Sequence, residues 1–285
     1  MLSMRRATRL SVCFLTLIFV AGLALAETRK EFRFTVGPNA SISVLNQYGP
    51  IAVKPSSNNQ VTVIAILHSD RVEVDQDQSA SRVEIRSHLL PGANAQSGQV
   101  DYEVLVPAGA SVNMYSPTGP LRAEKLAGDV SLEGANAVID VHDVSNAHVH
   151  VKTMNGPVTL TNIQGGHVEI TSVSGDVRLT QVSGPLVHVS CTSGKIFYDG
   201  DFGAGGQYSL ISHSGDIEAI IPPAASFDVT ARSMKGKVEN DFPFQPKSHT
   251  SFPLIQGSSF AGTIGQASSS VVLKSFSGKI RLKKR

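Results

Sequence analysis

Once an N-terminal leader is set aside, the chain has one cysteine, no tryptophan and no long apolar run. Cys13 falls inside the leader, so Cys191 stands alone and an intramolecular disulfide is excluded. An excess of one charge is missing too. The 25 Lys and Arg residues stand against 23 Asp and Glu, and removal of Arg5, Arg6 and Arg9 leaves 22 against 23, a net charge of −1. Such a balance lacks the basic footprint of a nucleic-acid binder. After the leader no segment reaches the ~20 apolar residues of a membrane span, and none keeps a helical period. Neither a Gly-x-Ser-x-Gly elbow nor a phosphate-binding loop occurs. Stability must then come from packing and backbone hydrogen bonds.

The leader is residues 1–26. Arg5, Arg6 and Arg9 precede an apolar run from Val12 to Leu25, and Ala24-Leu25-Ala26 offers small residues for cleavage. This is the pattern of a signal peptide, and it predicts export to the periplasm, the cell surface or the medium. The pair Arg5-Arg6 lacks the rest of a twin-arginine signature, so ordinary secretion is the expected route.

What the chain does have is a beat. From Leu121 to Asn240 a small polar residue, a glycine and an apolar-polar-apolar triplet recur every nine to eleven residues. Examples are Asn155-Gly156-Pro157-Val158-Thr159-Leu160, Ser174-Gly175-Asp176-Val177-Arg178-Leu179 and Ser193-Gly194-Lys195-Ile196-Phe197-Tyr198. Aligned on the glycines, one strand column runs Ile139/Val141, Val158/Leu160, Val177/Leu179, Ile196/Tyr198, Ile217/Ala219 and Val238/Asn240. A second runs Val130/Leu132, Val149/Val151, Val168/Ile170, Val187/Val189, Tyr208/Leu210 and Phe227/Val229. Two strands per step of ~19–21 residues, with side chains alternating in and out, predict an all-β fold, a parallel β-solenoid. A sandwich of hairpins is the rival. It has no reason to keep a register over successive turns, whereas in stacked coils a one-residue slip would turn every buried side chain outward.

Other columns refine the expectation. The glycines should occupy turn positions with positive φ. Three residues before them stand Thr153, Ser172, Cys191, Ser212, Ser233 and Ser275, so Cys191 takes the place of a hydroxyl and is a packing residue. Immediately after them Pro157, Asp176, Lys195, Asp216, Lys237 and Lys279 suggest a solvated ladder of mostly alternating charge. Residues 27–107 repeat the alternation loosely and should begin or cap the solenoid; residues 108–285 form its repetitive part. Within the latter, 241–270 breaks the rhythm with Phe242, Phe244, Phe252, Leu254 and Phe260, an excursion expected to fold back over the core or one end, with a partner-binding patch as the alternative.

Candidate chemistry is sparse. His148 should lie over His167, and His150, Glu169 and His188 recur at intervals of nineteen. Imidazoles and a carboxylate on adjacent strands suit a divalent metal, yet outward polar residues on a solenoid are ordinarily solvated. Asp140, Arg178, Glu218 and Asp228 are outward and isolated, without the paired carboxylates of a glycosidase. Lys279, Arg281, Lys283, Lys284 and Arg285 are expected as a solvated basic tail. No catalytic, cofactor-binding or metal-binding residue is assigned.

Val104-Leu105-Val106-Pro107-Ala108-Gly109-Ala110-Ser111-Val112, the serial Ser-Gly-Asp/Lys-Val/Ile turns and the closing Phe276-Ser277-Gly278-Lys279-Ile280-Arg281-Leu282 resemble the bacterial putative-adhesin family of exported β-solenoid domains, a family of unknown function. The resemblance implies a right-handed stack of β coils at the cell envelope with no catalytic residues. The function it suggests is adhesin-like binding of a protein or glycan. A structural or assembly role in the periplasm and a carbohydrate-processing enzyme are the alternatives. Ala137, where the pattern calls for glycine, is a departure that bears on regularity.

Overall fold

The computed structural model describes residues 27–37, 39–247, 250 and 252–285; the leader expected at 1–26 lies outside them. It holds 25 strands in two sheets of twelve and thirteen, called here sheet 1 and sheet 2. No helix occurs among the described residues, so none is long and apolar enough to cross a membrane. From Ser111 to Ile221 each coil gives one strand to sheet 2 and the next to sheet 1, and every pairing is parallel. Val130, Val149, Val168, Val187 and Tyr208 stand in one row. Ile139, Val158, Val177, Ile196 and Ile217 stand in the other. All ten are buried. The parallel β-solenoid is therefore the fold.

Each regular coil also buries an aliphatic that the two columns omit. Asp143, Asn162 and Gln181 have φ of 59°, 55° and 54°, and the bend re-aims the chain so that Val144, Ile163 and Val182 point inward. Asn and Asp reach this left-handed region more easily than most residues. Asn162 Nδ2 donates to Asp143 Oδ1 of the previous coil (2.6 Å), tying the bends together.

The glycine column has a different cause from the one the turns suggest. Gly49, which stands at the same place in Asn46-Gln47-Tyr48-Gly49-Pro50-Ile51, has a positive φ, but Gly156, Gly175, Gly194, Gly215, Gly236 and Gly278 do not. Elsewhere the backbone itself leaves no room: a Cβ on Gly175 would sit 1.9 Å from the Gly156 carbonyl oxygen, and one on Gly194 2.1 Å from that of Gly175. Beside them runs a buried polar row. Gly215 N–H donates to Ser212 Oγ (2.8 Å), Gly236 N–H to Ser233 Oγ (2.9 Å), and Ser233 Oγ donates to the Gly278 carbonyl of the adjacent coil (2.7 Å). Cys191 occupies this row, its Sγ 3.6 Å from the Gly175 carbonyl.

Ala137 is accommodated by an exchange. Its coil carries Gly134 at the row position of Thr153, and a Cβ on Gly134 would lie 2.6 Å from the Ala137 Cβ. The alanine methyl thus fills the space that Ser or Thr fills in other coils. Gly134→Ser alone should destabilise the protein by roughly 2 kcal/mol through overpacking, and Gly134→Ser with Ala137→Gly should recover most of that. Thermal melts decide it: a double variant no more stable than the single one overturns the exchange.

Coil order departs from sequence order at both ends. The strands Ser41–Leu45 and Ile51–Ser56 lie between those of a later coil, Arg82–Leu89 with Val100–Pro107, and the coil of Ser111–Tyr115 with Leu121–Glu124. At the other end Ser270–Ser275 and Ile280–Lys284 lie between Gln207–Ser212 with Ile217–Ile221 and Phe227–Ser233 with Val238–Asn240. The expected columns are corrected there. Val271 and Leu273 stack on Tyr208 and Leu210, and Val229 and Ala231 stack next, so Phe227 is shifted out of its assumed row.

Antiparallel strands close the ends. Thr28–Thr35 and Gln60–Leu67 extend sheet 1, and Val72–Ser79 edges sheet 2. Arg29, Glu31 and Arg33 on one edge and Glu73, Asp75 and Asp77 on the other discourage edge-to-edge pairing. The excursion does fold back: Ser259–Ile264 pairs antiparallel with Phe227–Ser233, and Phe242 packs edge-on against Phe227 (5.8 Å). Behind it Phe202, Tyr208 and Tyr198 continue an aromatic core, with Phe202 5.0 Å from Phe227. Phe202 is delivered by the loop between Asp199 and Gln207, the extra length in the 21-residue step from Val187 to Tyr208.

Candidate functional site

The outer face of sheet 1 carries acids, bases and an aromatic side by side. One row of outward side chains reads Arg122, Asp140, Thr159, Arg178, Phe197, Glu218, Arg281 and Glu239 on successive strands. A shallow depression centres on Phe197, lined also by Asp176, Arg178, Lys195, Glu218 and Arg281. The Arg178 guanidinium lies over the Phe197 ring at 4.2 Å, a cation–π contact that holds both flat. Arg281 Nη1 reaches Glu218 Oε2 at 3.4 Å and Asp216 Oδ2 at 3.7 Å, and its Nε reaches Glu239 at 3.7 Å.

This arrangement corrects two expectations. Arg178 and Glu218 are not isolated: Arg178 lies over Phe197, and the interposed coil brings Arg281 beside Glu218. Nor are the basic residues near the C-terminus a solvated tail. Lys283 pairs with Glu218 (3.1 Å), Lys279 with Glu239, Arg285 with Asp199, and Lys284 Nζ lies over the Phe242 ring at 5.4 Å. Hydrogen bonding to the Lys279 ammonium holds the Glu239 carboxyl below its ordinary pKa. Asp140 lies farther along the row, and Asp228 lies on sheet 2, where Thr263 Oγ1 donates to it (2.5 Å) and Lys247 pairs with it (3.1 Å). Those bonds lower the Asp228 pKa, Thr263 contributing most.

The ladder after the glycines also behaves differently. Asp176 and Asp216 do not pair with the lysine side chains of their row; they accept the backbone N–H of Lys195 (2.8 Å) and Lys279 (2.7 Å). Each carboxylate thereby fastens one coil to the next.

The histidines sit on sheet 2. His148 and His167 stack with ring centroids 4.7 Å apart and planes 6° apart. His150 Nδ1 is 3.4 Å from Glu169 Oε2, and His188 is the register neighbour of Glu169 on the other side. The expected stacking is realised, but among the described residues no three His, Cys, Asp or Glu side chains are gathered in a way that could hold a metal. Cys191 is buried, and desolvation raises its pKa, the opposite of an activated thiolate.

The depression can therefore recognise and hold a ligand with a planar platform, donors and acceptors; its acids are committed to Arg281 or to backbone amides. An aromatic at the outward slot after Ile196 was visible in the alternation of the sequence. Arg281, which lines the same depression from 84 positions away in the chain, was not.

A family profile described as Toastrack DUF4097 matches residues 39–283. No curated protein matches the chain. Among solved structures it is similar to a putative cell adhesion protein from Clostridium sporogenes, at 11% identity over 90% of this chain and 100% of that one, with a TM-score of 0.32. It is also similar to a putative adhesin from Bacteroides fragilis, at 10% identity over 91% and 99% with a TM-score of 0.37. A putative adhesin from Parabacteroides merdae shows 11% identity over 68% and 89%, with a TM-score of 0.34.

Proposed function

The chain belongs to the Toastrack DUF4097 family, and on that footing we propose that it is a non-catalytic, exported protein of the cell envelope whose outer face of sheet 1 binds a protein or glycan, as an adhesin does. The observation that carries the reading is the Phe197 depression on a face of stacked polar rows. Strands repeating at about 4.8 Å present groups at regular intervals, which suits an extended polymer. The core beneath is continuous, so the face needs no rearrangement to receive a ligand. The leader pattern at 1–26 supports delivery to the envelope.

A glycan and protein array probed with the mature chain should yield a ligand whose affinity falls roughly tenfold in Phe197→Ala, the loss expected of an aromatic anchor. The melting temperature should stay close to the parent value, since Phe197 lies outside the core. Absence of any ligand, or full affinity in the variant, overturns the reading.

A further inference from the structure

The corner of the solenoid that follows the buried serine row changes character toward the end carrying the interposed coil. Its outermost residues are Met154, Val173, Thr192, His213, Phe276 and Met234, one from each coil in spatial order. Beyond Met234 the excursion adds its tip: Ser233 N–H donates to the Ser258 carbonyl (2.9 Å) and Val238 N–H to the Gly257 carbonyl (2.9 Å). Gly257 and Ser258 are thereby fastened to the Met234 turn, with Leu254 and Ile255 just before them in the chain. Ile255 and Met234 are 59% and 55% exposed, with Leu254 at 43% and Phe276 at 37%. These four are half of the exposed large apolar residues among those described.

Cations stand on the aromatic rings beside them. Lys235 Nζ lies over the Phe276 ring at 4.8 Å, and the Arg232 guanidinium over the Phe252 ring at 4.9 Å. Lys274 is the register neighbour of Arg232 on the outer face of sheet 2. None of the three cations takes part in an ion pair among the described residues. Chain segments 229–238, 252–260 and 270–279 contain no Asp or Glu, and the flanking Asp228 and Glu239 are paired with Lys247 and Lys279.

We infer that this corner is a docking surface for an anionic phospholipid bilayer. Cations without carboxylate neighbours gain from a negative headgroup layer. Long apolar side chains standing proud among them gain nothing from a soluble polyanion, but they partition into the headgroup–acyl boundary. Rigid turns stacked coil on coil present both kinds of group on one edge without any need to refold. The surface is separate from the Phe197 face, so the rod could lie on a membrane by one edge with sheet 1 free.

The test is co-sedimentation of the mature protein with vesicles of phosphatidylcholine alone and of phosphatidylcholine mixed with phosphatidylglycerol. Binding should require the anionic lipid and weaken as salt is raised. It should fall roughly tenfold or more both in Met234→Ser/Ile255→Ser and in Lys235→Glu/Lys274→Glu. All four side chains are exposed, so both variants should melt like the parent. Three results overturn the inference: no sedimentation with either vesicle, equal sedimentation with both, or full binding by the apolar variant with dextran sulfate as an effective competitor, which would mark a soluble-polyanion site. Phe197→Ala should leave vesicle binding unchanged, so failure here and failure of the sheet 1 reading are told apart.

Discussion

Gly175→Ala should cost about 3 kcal/mol, lowering the melting temperature by roughly 10 °C, and Gly175→Asn should cost at least as much. The pair is chosen because two explanations of the glycine predict different outcomes. Were a left-handed turn the cause, asparagine would substitute at little cost, since it reaches that region readily. The observed cause is contact: any Cβ lands 1.9 Å from the Gly156 carbonyl oxygen. Neither side can yield, because both are backbone and both coils are held by ladders on two sheets. Gly205 is the control. It has φ +76° and open space around its Cβ position, so Gly205→Asn should be nearly neutral. Differential scanning calorimetry of the three variants checks the argument; a tolerated asparagine at 175 would refute it.

Deleting residues 268–285 should abolish the cooperative unfolding transition altogether. In a solenoid whose coils stack in chain order the deletion would trim one end, and the rest would survive with modest loss. Here it removes an interior coil. Val271, Leu273, Ile280 and Leu282 are buried between neighbours on both sides, and their burial is worth roughly 6–12 kcal/mol. That is comparable to the whole stability of an ordinary domain, about 5–15 kcal/mol. Ion pairs from Arg281 to Glu218 on one side and Glu239 on the other would go with it. Near-ultraviolet circular dichroism through a thermal scan reads the result. A truncated chain that still melts sharply would mean that Phe227–Ser233 can close directly onto Gln207–Ser212 and that the interposed coil is dispensable.

The serine row shows how far the sequence reading reached. Cys191 was legible as a hydroxyl substitute from position alone, and it lies in that row, buried and 3.6 Å from a glycine carbonyl. The same spacing placed His148 over His167 and Glu169 between His150 and His188. In the site itself, the outward slots of Arg178, Phe197 and Glu218 follow from alternation. Their meeting with Arg281 does not, because that contact depends on which coil lies next to which. The inward aliphatics Val144, Ile163 and Val182 escaped the columns because a single left-handed residue before each one shifts the alternation.

By itself the sequence determined the regular coil: its length, the paired inward residues of its two strands, and its parallel register, since these follow from periodicities of two and nineteen that any one coil imposes on the next. Only the tertiary structure decided the order in which coils stack, the reason for the glycines, and hence the composition of the Phe197 depression and the apolar, basic corner. The edges of such coils offer nearly identical rows of backbone donors and acceptors, so periodicity cannot choose among them. Order is settled by contacts between residues far apart in the chain, such as Arg281 seated between Glu218 and Glu239.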